Sequence, residues 1–458
     1  MGFSLARIRE ATGGEILSGT EVCSPRISID SRSVQPGDLF IAIRGERFDG
    51  HDYIHQAVQA GAASVLTSRR VDVPAGIGLV VVEDTLSALG DLARTHRRGF
   101  HLPVVAVTGS TGKTSTKEMI ACIGAVRHRV VKTMGNQNNE IGLPITLLNL
   151  SAGDELLVLE MGMRGLGQIA ELARLARPDI GVVTNIGEAH LELLGSQAKI
   201  AEAKSELLSA LAPEGTAVIP GDDPFFAFLS QATRARVLPF GLSEIAAVKA
   251  AKLNLGPENS CFQVNAEGWP EYEIRLSVPG RYHVLNALAA IAVAYALGYQ
   301  PYEISEGLAG FSPAKGRGAA RQSAAGWTII DDTYNANPAS MEAALEVLNA
   351  GNSSGRRIAV LADMLELGPS GLQAHRHIGR FVAGTDIAML LTFGQAAREI
   401  CRGAVQSGFP ATRARSYLEK NRLIEDLKAV LREGDTVLIK GSRGMHMEEV
   451  VSSLLQDH

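Results

Sequence analysis

The stretch AVTGSTGKTSTKE, Ala106 to Glu118, decides how the chain is read. It resembles a phosphate-binding P-loop with altered spacing. In the common form, G-x-x-x-x-G-K-[ST], a glycine lies five places before the second glycine. Here that place is Val107, and the nearest earlier glycine is Gly109. The context is nevertheless that of a P-loop. An apolar β-branched run, Val104 to Val107, reads as a buried parallel strand. A helix is expected from Ser115 onward. Backbone N–H groups at such a strand-to-helix turn, added to the helix N-terminus, make an anion site. Lys113 would place a point charge on the β- and γ-phosphates, and the Thr114 hydroxyl would ligate Mg²⁺. The alternative is a Gly/Thr-rich turn that contains a lysine by chance.

The chain has 458 residues, which suits two to four domains. Its composition, 46% apolar and 20% charged, is that of an ordinary globular protein. A net charge of −5 gives no basic field to attract nucleic acid or anionic lipid. The stretch MGFSLARIREATGG has no long apolar core, so no secretory signal is expected, and with no run of eighteen apolar residues no membrane span is expected. Cys23, Cys122, Cys261 and Cys401 are widely spaced and read as reduced thiols of a cytoplasmic protein.

Three regions are expected. Residues 1–100 carry short strands (39–43, 63–66, 79–82), an opening helix and a helical stretch near 54–61, forming a small α/β unit. Residues 97–103 read as a linker. Residues 101–312 alternate strand and helix, with strands at 104–107, 156–159, 180–183 and 216–219, which argues for a doubly wound parallel sheet. Antiparallel strands are expected over 250–280, then an alanine-rich helix over 283–297. After GFSPAKGRG (310–318), residues 313–458 form a third, Rossmann-like α/β unit with strands at 327–330, 358–361, 388–391 and 436–439.

Further polar residues fall at predicted strand ends, where open α/β sheets bind ligands. Glu160 follows the strand 156–159 and reads either as a Mg²⁺ carboxylate or, taken alone, as a solvated strand-end residue. His190 lies in the loop TNIGEAH at the same expected edge and is either structural or a ligand. Lys204 sits inside the apolar stripe of SQAKIAEAKSELLSAL, formed by Ile200, Ala203, Leu207, Leu208 and Leu211, with Ser196 as N-cap. The default for such a lysine is to snorkel to solvent. A lysine that cannot do so loses its proton and can add CO₂ to become a carbamate, a metal-binding carboxylate. The stretch DDTYNANP (331–338) offers many donors and acceptors, either for a polar ligand or for an Asx-type turn ending at Pro338. KGSRGMHMEE (440–449) either binds an anion or opens the last helix.

Together these stretches resemble the Mur ligase family, the ATP-dependent amide ligases of bacterial peptidoglycan synthesis. The family's shortened T-G-x-x-G-K-[ST] loop is matched by Thr108 to Thr114. The resemblance covers nearly the whole chain. It is strongest to the member that joins D-alanyl-D-alanine to UDP-N-acetylmuramoyl-tripeptide, through DSRSVQPGDLFIAIRGERFDGHDY (30–53), GNQNNEIGLP (135–144), DDTYNANP and ADMLELG (362–368). Two departures are visible: ADM replaces a more usual G-D-M, and GRGAARQ is alanine-rich where the family often carries an acidic residue.

The resemblance implies that Gly109, Ser110, Thr111, Gly112, Lys113, Thr114 and Ser115 cradle the nucleotide. It further implies that Thr114, Glu160 and His190 hold Mg²⁺, with Lys204 carbamylated beside a second metal. Asn286 would contact adenine, Arg317 the phosphates and Asp332 the ribose. Ser31, Arg32, Asp49 and Gly50 would meet the UDP-sugar, and Asn136, Asn138 and Asn139 the muramyl-peptide path. Tyr334, Asn335 and Asn337 would lie near the incoming dipeptide. Lys113, His190, Lys204 and Arg317 would form the catalytic set of a cytoplasmic, monomeric enzyme serving cell-wall synthesis, cell shape and division. The competing readings are a sibling Mur-type or folylpolyglutamate-type ligase, a P-loop ATPase that moves a partner, and a non-catalytic nucleotide-binding regulator.

Overall fold

The structure is a computed structural model that describes residues 2–19, 22–45, 48–256, 258–351 and 355–456. Met1, at the opening of the chain, and Glu46 and Arg47, within the stretch 30–53, lie outside the described residues. Two compact units are present. The first holds the residues up to Ala106 with His128–Met163 and Gly167–Asp179; the second holds Val107–Arg127, Arg164–Leu166 and the chain from Ile180 onward.

In the first unit, short β-rich runs form a five-stranded sheet. Its order is Glu15–Ser18, Gly78–Val81, Ser64–Thr67, Leu39–Ile41 and Ile27–Ser28, antiparallel only at the Glu15–Ser18 edge. Phe40, Ala42, Val65 and Leu79 from this sheet bury against Ile54 and Ala57 of helix Ile54–Gln59. A helix over Thr85–Arg97 is an addition to the expected elements. Asp84 caps it by accepting from the Leu86 and Ser87 amides at 2.7 and 3.1 Å. Ala88, Leu89, Leu92, Ala93 and His96 give its buried face. The expected linker therefore begins inside a helix. Arg97 is buried, its guanidinium donating to the carbonyls of Ala176 and Phe100. The unit also holds strand Leu156–Glu160, paired in parallel with Val130–Lys132.

In the second unit, strands Ile180–Val183, Thr216–Pro220, Arg236–Gly241 and Val248–Leu255 lie side by side in parallel. Ser260–Ala266 and Tyr272–Leu276 then add antiparallel strands, as expected for 250–280. Arg236–Gly241 was not among the expected strands. Helix Arg281–Ala296 is buried almost all round, which its alanine-rich sequence permits, and packs against helix Lys113–Gly124. The P-loop helix starts at Lys113, two residues before the expected position.

The C-terminal sheet of this unit has six strands. Their order is Ala319–Gln322, Thr328–Asp332, Thr436–Lys440, Arg357–Ala362, Met389–Phe393 and Ala414–Tyr417, parallel except for the first. Successive residues alternate between two cores, as strand geometry requires. Ile358, Val360 and Ala362 join one with Leu423, Leu427 and Val450; Ala359 and Leu361 join the other with Leu345, Ile378 and Ile400. A sheet buried on both faces is the physical content of the expected Rossmann-like unit. Among the described residues no helix is long and apolar enough to cross a membrane, and all four cysteines are free thiols.

Candidate active site

The strand Val104–Thr108 is wholly buried and delivers the chain to a turn that only glycine fits. Gly109 has φ 149°, and a Cβ there would lie 1.8 Å from Thr184 Oγ1. Gly112 has φ 80°, and a Cβ there would lie 2.2 Å from Asn286 Oδ1. The two glycines are thus required by close approach as well as by backbone conformation. Helix Lys113–Gly124 begins immediately after Gly112, and a helix N-terminus is the end that favours an anion. Lys113 Nζ folds over the loop and donates to the Gly109 carbonyl at 2.7 Å.

The loop is held by TNIG, Thr184 to Gly187, whose first two residues went unassigned in the sequence reading. The Thr111 amide donates to Asn185 Oδ1 at 3.1 Å. Asn185 Nδ2 returns hydrogen bonds to the Thr111 carbonyl and Oγ1 at 3.1 and 2.9 Å. The Ser110 amide donates to the Asn185 carbonyl, and Thr184 Oγ1 donates to the Thr111 carbonyl at 2.5 Å. Ser110 Oγ accepts from the Gly187 amide at 2.8 Å. Such a doubly anchored loop keeps its phosphate-facing geometry without a ligand to order it. A signal was present: Thr-Asn directly after a buried strand, at the edge where ligands bind.

Lys204 corrects the default sequence reading. It does not snorkel. It is 2% exposed on helix Gln197–Ser209, which Ser196 caps as expected. Burial, and secondarily the charge of Lys113, push its amine well below the ordinary lysine range. The reason is tertiary: the stripe that contains it, with Ile200, Ala203, Leu207 and Leu208, is buried. His190, at φ 65°, is pushed down by burial and by the charges of Lys113 and Lys204, against the opposing pull of Glu366. Its Nδ1 lies 2.8 Å from Glu366 Oε2.

The C-terminal region also reaches the loop. Arg317 Nη2 donates to Thr114 Oγ1 at 3.2 Å, and its guanidinium stacks 3.7 Å over the Tyr334 ring. The turn bearing Arg317 is fixed by the Tyr334 amide, which donates to the Gly316 carbonyl. Asp332 accepts from the buried Lys440 at 2.5 Å, and Lys440 also donates to the Asn335 carbonyl. Asn337 caps helix Pro338–Ala350 in a capping box with Ser340, so its Oδ1 serves the Asx-type structural role. Asn335 is exposed, its Oδ1 accepting from the Ala336 amide.

The remaining expected residues belong to the first unit. Glu160 is 2% exposed rather than solvated, accepting from Asn138 Nδ2 at 2.8 Å, with its amide bonded to Thr133 Oγ1. Asn139 Oδ1 accepts from the Gly142 amide, and Asn136 is exposed. Ser31 Oγ donates to Gln56 Oε1, while Arg32 is exposed and paired with Asp30. Asp49 caps the turn Gly50–Tyr53 and accepts from His51 and Arg69, both at 2.6 Å. These bonds, those of His51 foremost, hold its carboxyl down to about 2.

The glycine cradle, Lys113 and Arg317 fit a nucleotide polyphosphate. Of the residues expected to hold a divalent cation, the Thr114 hydroxyl and the His190 imidazole belong to the second unit and the buried Glu160 carboxylate to the first. No group of three or more His, Cys, Asp or Glu forms a metal cage among the described residues. Mg²⁺ does not need one, since it keeps several waters and takes few protein oxygens beside substrate phosphates.

Three family models match the chain: the Mur ligase family catalytic domain over residues 26–97, the Mur ligase middle domain over 107–294, and the Mur ligase glutamate ligase domain over 316–443. The UDP-N-acetylmuramoyl-tripeptide–D-alanyl-D-alanine ligase of Bacillus subtilis is 37% identical, covering 94% of this chain and 93% of its own. That of Escherichia coli is 35% identical, covering 99% and 98%. A crystal structure of MurF from Acinetobacter baumannii superposes with TM-score 0.91 at 34% identity, covering 100% of this chain and 99% of its own. MurF from Thermotoga maritima in complex with ADP superposes with TM-score 0.82 at 30% identity, covering 94% and 97%. The chain belongs to the Mur ligase family.

Proposed function

We propose that the chain is the ATP-dependent ligase that adds D-alanyl-D-alanine to UDP-N-acetylmuramoyl-tripeptide, in peptidoglycan precursor synthesis. The observation that carries this reading is the phosphate loop gripped by a second cation: Arg317, braced on Tyr334, reaches Thr114 beside Lys113. A loop for phosphate alone needs no such partner. A ligase that transfers a phosphoryl group does, because charge develops on the transferred oxygens.

In this account the tripeptide carboxylate attacks the γ-phosphorus of ATP and ADP departs, leaving an acyl phosphate. The dipeptide amine then attacks the acyl carbon, a proton is lost, and inorganic phosphate leaves through a tetrahedral intermediate. Lys113 and Arg317 neutralise the phosphoryl oxygens, and Gly109 to Ser115 orient the triphosphate. When bound, Mg²⁺ supplies further charge neutralisation between carboxylate and phosphates; Thr114, Glu160 and His190 are its proposed ligands. Lys204, buried and with its amine pushed well below the ordinary lysine range, is the residue proposed to carry the carbamate. Asn286 is assigned to adenine and Asp332 to ribose. Ser31, Arg32, Asp49 and Gly50 are assigned to the UDP-sugar, Asn136, Asn138 and Asn139 to the peptide path, and Tyr334, Asn335 and Asn337 to the dipeptide. The functional regions are 1–100 for the UDP-substrate, 101–312 for ATP and 313–458 for the dipeptide. We place the enzyme in the cytoplasm as a monomer. The test is ATP hydrolysis scored as phosphate release with each candidate acceptor. Release that depends on both the muramyl-tripeptide and D-alanyl-D-alanine supports the reading, and release with glutamate or diaminopimelate as acceptor overturns it.

A further inference from the structure

We infer that Glu366 is a positioning residue for His190, setting which ring nitrogen carries the proton. The inference rests on the reading of His190 as a metal ligand. A carboxylate accepts hydrogen bonds and donates none. With Glu366 Oε2 at 2.8 Å from Nδ1, the proton of the neutral imidazole belongs on Nδ1, and the lone pair belongs on Nε2. That is the arrangement by which a carboxylate prepares a histidine for a metal.

The contact is built from both sides. Glu366 is presented by the loop 363–370, whose frame is well tied. Asp363 Oδ1 accepts from the Ala397 amide at 2.6 Å, the Leu365 amide donates to Ser442 Oγ at 2.8 Å, and the Met364 amide donates to His375 Nε2 at 2.9 Å. The Glu192 amide donates to the Glu366 carbonyl at 3.1 Å, and Gly368 abuts Glu192, where a Cβ would lie 3.4 Å from its Cα. Among the described residues only five other than glycine adopt positive φ, and two of them, His190 at 65° and Glu366 at 63°, face each other here. Backbone strain of this kind persists where surrounding contacts over-determine it, and it concentrates at functional sites. Glu366 lies 176 positions from His190 in the chain. The orientation of a ligand beside the phosphate loop is therefore set by the segment that follows strand Arg357–Ala362 of the C-terminal sheet.

The test uses the full chain, its Glu366→Ala and Glu366→Gln variants, and two readouts. Long-range ¹H–¹⁵N correlation on histidine-labelled protein reports the His190 tautomer at about pH 8, where imidazole is neutral. Manganese titration in the presence of ADP, followed by electron paramagnetic resonance, reports metal affinity. The expected result is a wild-type ring protonated at Nδ1, and a Glu366→Ala ring shifted toward the Nε2-protonated form with manganese affinity weaker by about 10- to 100-fold. Glu366→Gln, which keeps an acceptor oxygen, should restore both. A Glu366→Ala protein with the wild-type tautomer, or with a manganese dissociation constant within about twofold of wild type, overturns the inference. A wild-type protein that binds no manganese removes His190 as a ligand and the inference with it, a failure distinguishable because the tautomer signal would still be read.

Discussion

Replacing Gly112 by alanine tests the cradle at its tightest point. The position has φ 80°, and an L-residue held in the left-handed region costs about 1–2 kcal/mol. The new Cβ would meet Asn286 Oδ1 at 2.2 Å and Cγ at 3.0 Å. Asn286 is 6% exposed on a helix buried almost all round, so it has little room to withdraw. Overpacking of this kind adds about 1–3 kcal/mol. The sum, about 2–5 kcal/mol, is a large fraction of an ordinary domain's stability, yet within what a folded protein can survive. Part of it should appear in nucleotide binding, because the same displacement moves Asn286 and tilts the first helical amides. Urea unfolding and calorimetric titration with a non-hydrolysable ATP analogue measure the two effects. A lower unfolding midpoint and at least about tenfold weaker binding are expected, tenfold being 1.4 kcal/mol. The Gly112→Ala/Asn286→Ala double variant relieves the clash but not the φ strain, so its loss should be smaller than the sum of the single losses. Strict additivity, or a Gly112→Ala protein that matches wild type in both assays, would refute the steric reasoning.

Lys113→Ala should retain its fold by circular dichroism and lose ADP formation by about a hundredfold or more, the scale of removing one preorganised charge partner; unchanged turnover removes the loop from the chemistry. Lys204→Ala should show a similar loss, with partial recovery when short carboxylic acids are added to stand in for a carbamate. Full activity without rescue would take Lys204 out of the site. For Asp49→Asn the sign follows from a depressed carboxyl: its stabilising effect is present above the unfolded value near 3.8 and disappears as pH falls toward about 2. The melting temperature of wild type should therefore exceed that of Asp49→Asn at neutral pH, with the gap closing below about pH 4; a gap that is constant down to pH 2 contradicts the assignment.

Much of the fold was legible because buried parallel strands announce themselves as continuous apolar runs. Ile180–Val183 has the bounds expected, and Val104–Thr108 and Leu156–Glu160 each extend one residue further. Arg236–Gly241 was missed because Pro239 argues against an interior strand; the chain accommodates it, with the Pro239 carbonyl still accepting from the Ala247 amide. Helix Thr85–Arg97 was readable in principle, since Asp84 and the spacing of Leu89, Leu92 and His96 give a cap and a face. The burial of Lys204 was not readable. A helical stripe says which side chains align, but not what covers them. The pairing of Glu366 with His190 and the reach of Arg317 to Thr114 join residues 176 and 203 positions apart, and no local pattern encodes such contacts. Asn185 lay within a stretch already singled out. Its role emerged only from the reciprocal hydrogen bonds that its amide makes with Thr111.

Mass spectrometry of the product formed from UDP-N-acetylmuramoyl-tripeptide, ATP and D-alanyl-D-alanine tests the central claim most directly. The account predicts a new species equal to the muramyl-tripeptide plus the dipeptide less one water, formed together with one ADP and one phosphate per molecule. Release of phosphate with no such adduct, or an adduct formed equally well with a single amino acid, would contradict it.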